Sequence, residues 1–118
     1  MAWLFIACLA AQFFLAGLGA FRTPADFVTH REFDYLFGWM TLVLLVLALA
    51  TRAPRIQVGL FVILLVQFAL QSVFIALRRD SPELADLHPL NGAIMLAIAL
   101  ALAWSAWRSY RGAGTLGG

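Results

Sequence analysis

Four long apolar runs divide the chain, at about 3–21, 33–51, 56–77 and 90–107. Each is near the roughly 20 residues that a helix needs to cross the hydrocarbon of a bilayer. None carries Asp, Glu, Lys, Arg or His in its middle. The polar residues gather between the runs, so the pattern predicts an all-α, four-helix transmembrane bundle. A transmembrane barrel would instead show short segments of alternating polarity. The first run lacks the basic start of a signal peptide, and Leu18 before Ala20 suits the cleavage rule badly. It is read as a true span.

The connections are short, which predicts up-down-up-down topology. Thr23-Pro24-Ala25-Asp26 is a helix-start signal, with a capping Thr, Pro in the first turn and an acid near the positive end of the helix dipole. The second helix is therefore expected over 24–51. Pro54 separates it from a third helix over 56–77. Ser81-Pro82-Glu83 predicts a short interfacial helix, and Pro89 is expected to open the fourth span, 89–107. These helices make one domain, 1–111. The Gly-rich stretch 112–118 has little to bury and is expected to be disordered.

Composition narrows the class. The chain is 64% hydrophobic and only 12% charged, with a mean hydropathy of +0.92. Soluble domains are roughly 45–50% apolar and about 25% charged. A soluble enzyme, a disordered tail and a disulfide scaffold are excluded; Cys8 has no partner cysteine. The net charge of +2 comes from eight arginines with no lysine. They are too dispersed for a nucleic-acid surface. The expected surroundings are the lipid bilayer of a cell membrane, with a membrane-protein partner or a second copy as further possibilities.

Arginine counts tie between the two ends. Arg22, Arg31, Arg78 and Arg79 share one end with all six acids, Asp26, Glu32, Asp34, Asp80, Glu83 and Asp86. Arg52, Arg55, Arg108 and Arg111 hold the other end without an acid. The positive-inside rule then favours cytoplasmic termini, because only those arginines are unneutralised.

Few polar residues remain to carry chemistry. Gln12, Thr41 and Gln67 lie near mid-helix, and Gln71 follows Gln67 by one turn on the same face. Such groups in lipid need partners. They serve either as interhelical polar contacts or as the lining of a quinone, cofactor or transport path. The histidines are more informative. His30 and His88 precede parallel helices and lie about 18 and 16 Å from the respective midpoints, a matched depth. In an up-down bundle those helices are diagonal, about 11–14 Å apart between axes. Imidazoles reaching inward would leave room for one haem iron, and histidine is an ordinary axial ligand. His30 shares a face with Phe33, Asp34, Phe37, Thr41 and Leu44; His88 shares one with Asn91, Gly92, Met95 and Ala99. Asn91 and Gly92 are expected beside the macrocycle, with Arg22, Arg78 and Arg79 toward its propionates. The acids offer spare carboxylates for zinc, but in no specific ligand spacing.

Helices two and four each giving one histidine at matched depth resembles one half of a haem A synthase, and is similar to other four-helix b-type cytochromes. The resemblance rests on His30 and His88. It implies haem b between two axial histidines; with one half and one histidine pair, it does not extend to the synthase reaction. The stretch Leu87-His88-Pro89-Leu90-Asn91-Gly92 and the run 12–21 also resemble small uncharacterised actinobacterial four-helix integral membrane proteins, a likeness that implies no activity. No Ser/His/Asp set, phosphate loop or HExxH motif is present.

Three functions follow from the sequence. The first is a b-type haem redox module. The second is a non-enzymatic accessory or scaffold subunit. The third is a small transporter or channel.

Overall fold

The computed structural model describes residues 2–114, with side chains from 2 to 111. Its long helices are α1 (Ala2–Phe21), α2 (Phe27–Ala50), α3 (Arg55–Ala76) and α5 (Leu87–Gly114), with a short α4 (Pro82–Ala85) between the last two. No strand occurs among the described residues. All four long helices, with their flanking turns, are long and apolar enough to cross a membrane. The chain is a small multi-pass membrane protein, 57 × 26 × 20 Å.

The helices form a ring in the order α1, α2, α3, α5. Each contacts its two neighbours, while α1–α3 and α2–α5 face each other across the diagonals. The core is a narrow column of Phe5, Leu9, Phe37, Leu44, Leu64, Met95, Ala99 and Leu102. Most other large apolar side chains point outward. In water such a surface would be unfavourable; in a bilayer it is the lipid face.

Local chemistry sets the boundaries. Thr23 is extended (φ −153°, ψ 137°), and its hydroxyl accepts from the Ala25 N–H at 3.4 Å. Pro24–Asp26 then forms a 3-10 turn, and the α-helix proper begins at Phe27 rather than Pro24. At the other end α2 stops at Ala50, where Thr51 turns its hydroxyl back to the Leu47 carbonyl at 2.8 Å. Arg52 adopts φ 53°. The Ala53 N–H reaches Ala48 O at 2.9 Å and the Arg52 N–H reaches Leu49 O at 3.1 Å, the paired bonds of a Schellman cap.

The fourth span begins at Leu87, two residues before Pro89. Proline is tolerated there because first-turn N–H groups have no intrahelical acceptor. His88 therefore belongs to α5 itself. The α5 backbone continues through Gly114, past the expected end at 107 and into the Gly-rich stretch. The rest of that expected tail, 115–118, lies outside the described residues.

Two glycines let aromatic rings close on helix backbones. A Cβ on Gly19 would meet the Phe27 ring at 2.6 Å, and one on Gly38 would overlap the Phe68 ring. Gly38 thus brings α2 and α3 together. Gly19 lets the start of α2 fold over the end of α1.

Candidate functional site

His30 is the fourth residue of α2 and His88 the second of α5. Both helices start at the end of the bundle that holds the acids. Their diagonal placement turns the two imidazoles toward the same space. The ring centroids are 6.2 Å apart and the planes 81° from parallel.

Each ring is backed by an adjacent helix. His30 Nδ1 lies 3.2 Å from the Gln12 main-chain oxygen on α1. A carbonyl only accepts, so this bond uses Nδ1–H and leaves Nε2 of the neutral ring with its lone pair. The His88 ring lies beside the Gln71 main chain on α3. Its buried Nδ1 is outside good hydrogen-bond geometry to any group. One turn deeper, Asn91 Nδ2 donates to Gln67 O at 2.8 Å. Residues 88 and 91 of α5 thus face 71 and 67 of antiparallel α3 in register.

A second polar link joins α1 to α2. Gln12 Nε2 donates to Asp34 Oδ1 at 2.8 Å, one turn along from His30. Gln12 and Gln71 are each more than nine-tenths buried, and the Oε1 of each has no partner. Thr41, fully buried one layer deeper, also leaves its hydroxyl unpaired.

Two cavities flank the histidine pair, and His30, Asp34, Gln71 and His88 border both. On the α1 side lies a pocket of about 100 Å³ lined by Leu9, Phe13, Ala16, Phe37, Gly92 and Met95. On the α3 side lies a wider groove of about 540 Å³, bordered by Phe27, Arg31, Tyr35, Ser72, Ile75 and Arg78. The second volume is within the roughly 300–1,000 Å³ usual for ligand sites.

The structure sorts the sequence-derived residues. His30, His88, Gln12, Gln71, Gly92 and Arg78 border the cavities. Asn91 is buried behind them, holding α5 to α3. Gln67 is half-buried, and its main-chain oxygen, not its amide, makes the contact. Arg22 and Arg79 border neither cavity. Arg22 lies 4.0 Å from Asp26, four residues on, with a largely exposed side chain. Arg31 borders the groove instead. Sequence reasoning gave no binding role to Arg31, to the Gln12 carbonyl or to Phe13, and placed Asp34 on the face of His30 and among the spare carboxylates, with no link to Gln12. No group of three or more His, Cys, Asp or Glu positioned for a metal occurs among the described residues. The zinc alternative therefore finds no ligand set there.

These features define a four-span membrane bundle with a histidine pair between two cavities. Residues 12–77 match a family of unknown function (DUF6220), and the chain belongs to that family. The matched stretch contains Gln12, His30, Asp34 and Gln71; His88 lies beyond it. No curated protein and no solved structure matches the chain.

Proposed function

We propose that this protein is a small membrane redox module that holds haem b between His30 and His88. The observation that carries this reading is the spacing of the two rings. With their Nε2 atoms turned toward one another, rings at this spacing would hold one metal about 2 Å from each nitrogen. The observed separation is 6.2 Å. Direct hydrogen bonding would require closer nitrogens, and none joins the rings among the described residues.

The donor set fits a macrocycle better than a bare ion. Two histidines without a third ligand suit a metal that brings its own equatorial donors. The Gln12 carbonyl fixes the His30 ring and frees Nε2, the usual support for a ligating histidine. The cavities on both sides of the pair supply space for a flat group. Haem held by His30 and His88 would supply reversible one-electron transfer.

The same polar contacts favour a second reading, a non-enzymatic accessory subunit. Gln12–Asp34 and Asn91–Gln67 each tie neighbouring helices, as packing contacts would. A transport path has less support. Beyond Thr41 the bundle centre is filled by Leu44, Ala48, Phe61, Leu64 and Leu102, with no polar side chain among these core residues. We place the termini in the cytoplasm, on the acid-free arginine end.

The test is to produce the protein with haem supplied and record its absorption spectrum. A six-coordinate b-type spectrum, lost in His30→Ala and in His88→Ala, supports haem binding. A folded, colourless protein that binds no added haem leaves the accessory role.

A further inference from the structure

The two cavities differ in chemistry, and the difference has a direction. The α1-side pocket is lined mainly by apolar side chains, Leu9, Phe13, Ala16, Phe37 and Met95, with Gln12, Asp34 and Gln71 as its polar groups beside the histidines and no arginine. The α3-side groove is bordered by two arginines, Arg31 of α2 and Arg78 of the 3-10 turn Leu77–Arg79 that follows α3. Arg31 adjoins His30 in sequence; Arg78 lies seven residues beyond Gln71. The groove thus brings the two imidazoles and two guanidinium groups onto one lining, with Asp34 as its carboxylate.

We propose that Arg31 and Arg78 form a carboxylate-binding rim that fixes the orientation of the ligand held by the histidine pair. The acidic edge of the ligand lies on the α3 side and its apolar edge against α1. This inference rests on the haem reading and adds to it an orientation and one new binding residue, Arg31, beside Arg78. The physical reason is desolvation. A carboxylate in the α1 pocket would lose water among Leu9, Phe13 and Met95 with no cation to replace it. Beside Arg31 and Arg78, whose side chains are exposed, it keeps contact with water and meets guanidinium donors, which match carboxylate geometry. Arg22 is poorly placed for this, being paired along its own segment with Asp26.

The test compares two ligands in detergent-solubilised apoprotein. Haem b carries two free carboxylates; haem dimethyl ester has the same ring and iron without them. Both are titrated by absorbance into the wild type and into Arg31→Gln, Arg78→Gln, Arg22→Gln and Arg79→Gln. These side chains are exposed, so the expected effects are those of solvent-screened pairs. Haem b affinity is expected to fall by about three- to tenfold in Arg31→Gln and in Arg78→Gln, with the ester unchanged. Arg22→Gln and Arg79→Gln should match the wild type for both ligands. If the wild type binds haem b but Arg31→Gln and Arg78→Gln leave its affinity intact, or weaken the ester equally, the rim is wrong and the histidine site stands. If the wild type binds neither porphyrin, the haem reading fails and the rim falls with it.

Discussion

Gln12 donates from its amide to Asp34 at 2.8 Å, joining the middle of α1 to a carboxyl group within the second span. The same residue's main-chain oxygen receives His30. One residue of α1 therefore holds two side chains of α2, one through its side chain and one through its backbone. Replacing Gln12 with Leu removes only the first contact. We expect a loss of about 1–2 kcal/mol in reversible unfolding in mixed micelles, near the upper end for hydrogen bonds in membrane proteins. In a double-mutant cycle with Asp34→Ala, which removes the acceptor, a coupling energy indistinguishable from zero would show that the pair contributes nothing.

The glycines predict opposite outcomes for one chemical change. At Gly38 an added methyl would overlap the Phe68 ring, so Gly38→Ala should destabilise by about 1–3 kcal/mol through overpacking between α2 and α3. At Gly92 the methyl would sit 3.4 Å from Phe13 and 3.5 Å from the Gln71 amide, ordinary contact distances. Gly92→Ala should leave stability unchanged or raise it by up to about 1 kcal/mol, the helix-propensity difference. Equal effects at both positions in the same unfolding assay would contradict the packing described.

Arg52 holds a left-handed conformation that glycine adopts freely. Arg52→Gly should stabilise the turn between α2 and α3 by about 1 kcal/mol. Thermal unfolding in detergent measures this, and a lowered midpoint would mean that the arginine side chain contributes more than its backbone costs.

Topology has its own test. Cysteines placed at Thr23 and Ala53, in a Cys8→Ser background, should label with an impermeant thiol reagent from opposite faces of sealed vesicles. They lie in turns at opposite ends of α2. Labelling from one face would contradict the span formed by α2.

The four helices and their start signals were readable because their causes are local, although α2 proper begins at Phe27 and α5 runs from Leu87 through Gly114. Thr23-Pro24 and Ser81-Pro82 start helical segments, and Pro54 directly precedes α3, through effects within one turn of chain. The matched depth of His30 and His88 was readable too, since helix rise converts sequence offset into height. What escaped depends on rotation of helices about their axes. Arg22 and Arg31 are both near the bundle mouth in sequence, yet only Arg31 borders the groove. The link from Gln12 to Asp34 spans 22 residues, and no local pattern marks it. Gln67 and Gln71 share a helical face by spacing; the packing of α5 buries Gln71 and calls on Gln67 only for its carbonyl.

The central claim is that one iron joins two nearly perpendicular imidazoles, and low-temperature electron paramagnetic resonance of the oxidised, haem-loaded protein tests it most directly. Perpendicular imidazole planes give a low-spin ferric signal of the strongly anisotropic, near-axial kind, whereas parallel planes give a rhombic one. The 81° angle between His30 and His88 predicts the near-axial signal, with its loss when either histidine is replaced by alanine. A high-spin signal from the wild type, or a low-spin signal that survives His88→Ala, would contradict the account.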